Sequence, residues 1–451
     1  MSIPSEVDTA WAFWIDRGGT FTDVVARRPD GVCETRKLLS ENPAHYADAA
    51  TAGIRAVLEA HGETLHSANI QQVRMGTTVA TNALLERRGE PTLLAITQGH
   101  ADALRIGHQT RPRLFDRNIQ LPPPLYAEVA EIRERIDADG NISTPLDEAE
   151  ARRSLQAAYD DGLRSVAIVL LHAYRYPAHE LRLARIAKEI GFSQISVSHE
   201  VSALIKLVGR GDTTVADAYL SPLLRRYVQG VQKELGNTPL QFMQSNGGLV
   251  DAENFRGRDA VLSGPAGGIV GMARTAEIAG LDRVIGFDMG GTSTDVSHYA
   301  GEFERRLETE IAGVKLRTPM MDIHTVAAGG GSVCWFDGMR LRVGPQSAGA
   351  SPGPACYRAG GPMTITDCNV VLGKIQASLF PKAFGSGADQ PIDPDASARR
   401  LREIRDAILQ AGGEDLSEQQ LAEGFIRIAV EHMAQAIKQI SIQRGHDVRD
   451  Y

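Results

Sequence analysis

Cysteine is scarce and unpaired in this sequence: Cys33, Cys334, Cys356 and Cys368 are the four in 451 residues, and no two form a C-x-x-C. That spacing speaks against a disulfide framework and suits a reducing compartment, with the thiols as packing residues. Long apolar runs are missing too. The most apolar stretch, residues 166–171, is far too short to cross a bilayer, and residues 1–16 have neither the basic region nor the apolar core of a leader. Charge of one sign is also lacking. The net charge of -8 is spread along the chain, so no basic face for nucleic acid or anionic lipid stands out. A cytoplasmic protein with no nucleic-acid and no membrane partner is expected.

Three catalytic signatures are absent as well. No G-x-x-x-x-G-K-[ST] occurs, because Gly373-Lys374 has Cys368 where the upstream glycine belongs and Ile375 after it. No G-x-G-x-x-G follows a strand-like run, which removes the P-loop and Rossmann readings. No G-x-S-x-G occurs either, so covalent hydrolysis by this chain alone has no support.

The length predicts two to three domains. Short β-type runs alternate with helical patterns, the mark of α/β units with a largely parallel sheet. Strands are predicted at 166–171, 195–198 and 240–244, and helices at 179–190, 213–235 and 421–442, the second strained by Pro222. Proline-rich patches at 121–125, 344–354 and 391–394 read as loops, the first opening an insertion that runs to about Thr144.

One pattern occurs twice. Residues 16–23 and 288–295 both read D-x-G-G-T-x-T-D, and each follows one apolar strand and leads into another. Each is therefore a hairpin with a Gly-Gly turn. Gly18 and Gly19, and Gly290 and Gly291, let phosphate oxygens approach backbone N–H groups that a Cβ would block. Thr20 and Thr292 add hydroxyl donors. The leading Asp16 and Asp288 stand at strand ends, where a carboxylate can hold a hydrated Mg²⁺ or orient a nucleophile. Asp23 and Asp295 could fix the turns through local backbone hydrogen bonds. A single Gly-Gly hairpin is as often an ordinary turn; two matching copies suggest two similar lobes that clamp one nucleotide.

Other candidates carry two readings each. Thr77 and Thr78 lie at a strand-to-helix junction, where they either face a phosphate or substrate or simply cap the helix. Gly329 and Gly330 either approach the nucleotide or form a tight turn. Asp322-Ile323-His324 offers two metal ligands, too few for a site, and a structural histidine is the commoner outcome. Residues 262–271 are rich in small side chains and open a helix between the hairpins, where crossing helices could approach closely at a hinge.

The order of first hairpin, small-residue helix and second hairpin resembles the actin-like (ribonuclease H-like) ATPase superfamily. Within it, the stretches 15–24, 75–87, 216–220, 262–268, 286–297, 325–332 and 344–357 are similar to the hydantoinase A and oxoprolinase family, and among its members to ATP-hydrolysing 5-oxoprolinases. The resemblance implies an N-terminal lobe over 1–205 and a hydantoinase A-type lobe over 206–451. It implies ATP and Mg²⁺ as cofactors, and phosphorylation of a lactam carbonyl oxygen on the way from 5-oxo-L-proline to L-glutamate. Asp16 and Asp288 would then handle Mg²⁺ and in-line geometry, and the hairpin residues the phosphates, with Arg17 adding charge at the transferring group. An N-methylhydantoinase or acetone-type carboxylase ATPase subunit, and a regulatory actin-like ATPase without small-molecule turnover, are the rival expectations. The family's later Gly-Gly-x-Gly-Gly adenosine loop is not in this sequence, so a truncated nucleotide pocket, a hydantoinase B-type subunit or C-terminal region as partner, and a homo-oligomer are expected.

Overall fold

The computed structural model describes residues 10–109, 115–119, 121–387 and 389–451. Strand β1 (Trp11–Arg17) buries Trp11, Phe13 and Ile15 on one face and turns at Gly18-Gly19 into β2 (Phe21–Arg27), which is antiparallel with Asp23 opposite Asp16. β3 (Cys33–Leu39) continues the meander. Helix α1 (Ala49–Ala60) starts where the Asp48 side chain accepts the Thr51 N–H, the usual use of an aspartate N-cap. β4 (Ile70–Thr77) then returns parallel to β1 with Gly76 opposite Asp16, and α2 (Val79–Leu85) follows at once.

A second sheet comes next, from β5 (Thr92–Thr97), a single turn α3 (Ala103–Ile106), β6 (Tyr126–Ile132), a hairpin of β7 (Arg135–Ile136) and β8 (Ile142–Thr144), α4 (Glu148–Asp160), β9 (Ser165–Val169), α5 (Ala178–Ile190) and β10 (Gln194–Val197). Its order is β10-β9-β5-β6, all parallel, and β5 and β9 are buried along their whole length, as strands covered on both faces must be. The segment after residue 125 is therefore no insertion. Its strand β6, with alternate exposed positions, completes the sheet edge, and that alternation was hidden by the prolines before it.

After a turn α6 (Ser198–Val201), the long α7 (Leu207–Leu235) packs on both sheets. Pro222 does not break it. The Ala218 carbonyl, which a proline four residues later leaves without its helical N–H, accepts the Ser165 hydroxyl at 2.7 Å. β11 (Leu240–Met243) then lies parallel to β4, with β12 (Leu249–Asp251) beside it, so the first sheet runs β12-β11-β4-β1-β2-β3. Strands from both sides of residue 206 thus share one sheet, with β11 and β12 added beside β4.

Helix α8 (Ser263–Ile278) carries the chain across to β13 (Arg283–Met289) and β14 (Thr294–Ala300), which pair with Asp288 opposite Asp295, the register of β1 and β2 repeated. Short strands β15 (Arg305–Arg306), β16 (Thr309–Ile311), β17 (Val314–Leu316) and β18 (Met320–Met321) precede β19 (His324–Val326), which pairs with β14 as β3 pairs with β2. β20 (Ser332–Phe336) and β21 (Leu341–Ser347) form a ribbon against α9 (Ile365–Val371), α10 (Pro394–Gln410) and α11 (Glu418–Ile440). The loops predicted at 344–354 and 391–394 are partly absorbed, the first into β21 and the second as the Asp393 cap and first residue of α10. The architecture is mixed α/β with a duplicated strand-hairpin-strand unit. Among the described residues no helix is long and apolar enough to cross a membrane.

The second sheet is held at its C-terminal edge by buried charge. Glu180 of α5 is fully buried and accepts the Leu170 N–H, the Ser198 hydroxyl and the His199 Nδ1, while Arg210 of α7 donates to Ser198 and to the Leu170 and Leu204 carbonyls. Replacing Glu180 by Gln leaves Arg210 and His199 without their charge partner, an expected loss of about 3–5 kcal/mol in a urea unfolding titration. The hydrogen bond to Glu180 holds His199 above its ordinary value. That contribution is fully present below the unfolded-state pKa and is lost as pH rises through the folded one. Unfolding midpoints should therefore fall as pH rises above the ordinary histidine range, less so in His199→Gln.

Candidate phosphate-binding site

Each hairpin is closed the same way. The Gly18 N–H donates to the Phe21 carbonyl at 3.0 Å, and the Gly290 N–H to the Ser293 carbonyl at 2.9 Å. The tips meet: a Cβ built on Gly291 would lie 2.9 Å from Thr20 Oγ1. What orients the tips is how their carbonyls are held. In the first lobe Ser40 donates its hydroxyl to the Gly18 carbonyl at 2.7 Å and its N–H to the Thr20 carbonyl at 2.9 Å. In the second, the Gly330 and Gly331 N–H groups donate to the Gly290 and Gly291 carbonyls at 3.0 and 2.6 Å.

A trans peptide points its N–H away from its C=O. Tying back the Gly18, Gly290 and Gly291 carbonyls therefore turns the N–H groups of Gly19, Gly291 and Thr292 the other way. Among the described residues, none accepts a hydrogen bond from the N–H of Gly19, Thr20, Gly291 or Thr292. Unpaired, convergent N–H groups are an anion cradle. The second threonines, Thr22 and Thr294, are fully buried and anchor the hairpins, one to Ser40 and the other to the Ala328 carbonyl.

The two carboxylates lie along one helix. A Cβ on Gly264 of α8 would be 3.4 Å from Asp16 Oδ1, and one on Gly268, a turn later, 3.7 Å from Asp288 Oδ2. Gly76 is as close to Asp16 from β4, at 3.4 Å, so side chains on α8 and β4 would crowd the acid. Asp16 is reachable by water yet walled in by the cleft. That enclosure, then the charges of Asp288 and Asp23, push it up to about 6 against the pull of Lys37. Asp295 is raised by burial and by Asp288, against its hydrogen bond from Thr325. Free N–H groups beside two mutually repelling carboxylates fit a phosphate chain carrying a divalent cation, with Asp16 and Asp288 as the acids nearest to it.

The remaining candidates fall elsewhere. Arg17 alternates to the opposite face of β1 from Asp16, over the Tyr227 ring at 5.4 Å and 3.9 Å from Asp48. It is not beside the cradle, because strand alternation sends successive side chains to opposite faces. Thr77 is fully buried, donating its N–H to Ser263 and accepting the Val79 N–H on its hydroxyl, and Thr78 donates its hydroxyl to the Arg17 carbonyl. Both threonine side chains are thus occupied at the helix start. Gly329 and Gly330 back the second hairpin: a Cβ on Gly329 would meet Gly290 O at 2.9 Å, so its lack of a side chain is what permits the contact. Asp23 and Asp295 do not fix the turns. They reach across their strands, Asp23 to Lys37 at 2.7 Å and Asp295 to Thr325 at 2.6 Å.

His298, Glu304 and His446 bring ligand atoms together. The two imidazoles are stacked 4.2 Å apart with planes 23° apart, so their in-plane lone pairs cannot converge on one ion. Asp322 pairs with Arg306 and Arg444 rather than with His324. Sequence reasoning missed Ser40. It lies outside both hairpin motifs, and only the pairing of β3 with β2 brings it under Gly18.

Two family models match this chain, the hydantoinase/oxoprolinase N-terminal region over residues 12–191 and hydantoinase/oxoprolinase over residues 210–451. Arabidopsis thaliana 5-oxoprolinase 1 is 42% identical over 481 residues, 97% of this chain and 38% of its own length. The caprolactamase subunit alpha of Pseudomonas jessenii is 34% identical over 97% of this chain and 64% of its own. A crystal structure of the ATP-dependent caprolactamase from that organism superposes with a TM-score of 0.76 at 32% identity, covering 97% of this chain and 64% of that one. Nucleotide-free acetone carboxylase gives 0.78 at 25% identity, covering 96% and 63%. This chain thus spans well under half of the 5-oxoprolinase.

If Asp288 contributes to the high Asp16 value, Asp288→Asn should bring the Asp16 titration down, though not to an ordinary carboxylate value, since enclosure remains. Carbon-detected NMR titration reads this directly; an unmoved Asp16 would separate the two acids.

Proposed function

The chain belongs to the hydantoinase/oxoprolinase family, and from that premise we propose that it is the nucleotide-handling part of an ATP-dependent cyclic amide hydrolase that turns 5-oxo-L-proline into L-glutamate. The observation that carries this reading is the pair of hairpins whose unpaired N–H groups meet beside Asp16 and Asp288. Support for the substrate comes from the 42% identical 5-oxoprolinase. The duplicated hairpins joined by a small-residue helix support an actin-like, ribonuclease H-like arrangement of two lobes closing on ATP.

A lactam carbon is a poor electrophile, whereas an O-phosphorylated imidate carries a good leaving group, so phosphoryl transfer to the carbonyl oxygen is the activating step. The N–H groups of Gly19 and Thr20 bind phosphate oxygens from one side and those of Gly291 and Thr292 from the other, which holds the transferring group in line. The Thr20 hydroxyl, at the meeting of the tips, adds a donor. Asp16 and Asp288 would hold Mg²⁺, through water, and that ion supplies charge neutralisation along the phosphates. With its value near 6, Asp16 is mostly ionised at neutral pH and loses its negative charge only in mild acid.

Attack by water on the activated carbon is assigned to a hydantoinase B-type subunit or C-terminal region. The caprolactamase relative's own name, subunit alpha, supports such a partner. Cytoplasmic location and a homo-oligomeric state belong to the same proposal. The likeness to acetone carboxylase keeps a second carbonyl substrate class in view.

Phosphate release from ATP should depend on 5-oxoproline and drop at least about a hundredfold in Asp16→Ala and in Asp288→Ala. Turnover stimulated by acetone or a hydantoin instead would reassign the substrate. Release indifferent to any carbonyl compound would favour a regulatory ATPase. Ser40→Ala should weaken nucleotide binding roughly tenfold while the fold stays intact, because only the first hairpin loses its support.

A further inference from the structure

A separate cavity of about 280 Å³ opens where α3, the start of β6, α7 and the β16–β17 hairpin come together. Arg87, in its wall, follows α2, whose first turn is tied to β1 by the Thr78 N–H on the Arg17 carbonyl. The helix α2 thus runs from β1 to the wall of the cavity, roughly 10 Å at 1.5 Å per residue. Three cations reach it from distant parts of the chain. Arg87 donates Nη2 to the Ala312 carbonyl at 3.1 Å, but its Nη1 is buried with no acceptor. Arg105 and Lys315 are in no ion pair among the described residues, although Lys315 is near enough to act on the charge of Asp212. Leu104, Pro122, Val215 and Val314 give the cavity apolar walls.

We infer that this cavity binds a small organic carboxylate, with Arg87 Nη1 and Lys315 taking the carboxylate and the apolar walls enclosing a compact body. A buried guanidinium nitrogen without an acceptor is costly unless something supplies one. The volume suits a five-membered ring or short chain. Two carboxyl groups, Asp212 and Glu310, stand in the same wall as the three cations. Burial pushes Asp212 up to about 7 against the pull of Lys315, so near neutrality it is often an uncharged carboxyl able to donate to the bound anion. Glu310 is opposite Lys315 across the β16–β17 hairpin, Tyr126 faces Asp212 from β6, Arg105 lies within α3 and His108 just beyond it.

The inference rests on the cavity and stands apart from the phosphoryl-transfer reading, so it is tested without nucleotide and also in Asp16→Ala. Isothermal titration of the purified chain is made with 5-oxo-L-proline, cyclopentanecarboxylate and neutral 5-oxoprolinamide. Binding of either acid, with the amide at least about tenfold weaker, is expected, and Lys315→Met or Arg105→Met should weaken the acids by a similar factor while the melting temperature is kept. Tighter 5-oxoproline ties the cavity to the reacting acid; equal binding of both marks a general acid effector. Affinity should fall as pH rises through about 7, when Asp212 gains its charge. Asp212→Asn should abolish the fall while keeping binding. Acids that bind no better than the amide, or that are indifferent to both cation variants, overturn the proposal.

Discussion

Everything at the cleft follows from the direction of a few peptide groups. A hairpin tip in water can turn its N–H groups anywhere, and it is the capture of its carbonyls from behind that aims them. The first lobe uses a serine for this and the second a run of glycines. The chemistry differs because the neighbours differ: Ser40 ends a strand and reaches in with a hydroxyl, whereas residues 329–331 lie flat against the tip and can do so only without side chains. Two unlike solutions produce the same cradle.

The carboxylates add an electrostatic constraint. Asp16 and Asp288 are brought to one face of α8 by glycines a turn apart, so the helix that joins the lobes also sets the spacing of the acids. Enclosing an acid in the cleft and holding a like charge near it costs free energy, and Asp16 is raised first by the enclosure and then by Asp288. A cation held between the two acids would relieve it. The rigid support is α7 and the buried Glu180–Arg210 network beside it, which fix the second sheet against the first.

Much of this was legible in the sequence. The twin D-x-G-G-T-x-T-D motifs, the strand on either side of each, and the long helices with their apolar periodicity all appear as expected, because each is a local pattern. The failures have a common cause. Strand β6 hid behind prolines, the pairing of β11 with β4 was not visible, and Asp23 and Asp295 found partners on neighbouring strands. Arg17 was one residue from the cradle in sequence and on the wrong face in space.

The sequence by itself determined the two Gly-Gly hairpins, the small-residue helix between them and the family, since these depend on residue type at short fixed spacing. Only the tertiary structure decided which groups stand behind each hairpin, how Asp16 and Asp288 share a helix face, and that Arg87, Arg105 and Lys315 converge on one cavity. Those are contacts between residues far apart in the chain, and no periodicity or motif length encodes them; they exist only once the strands have paired.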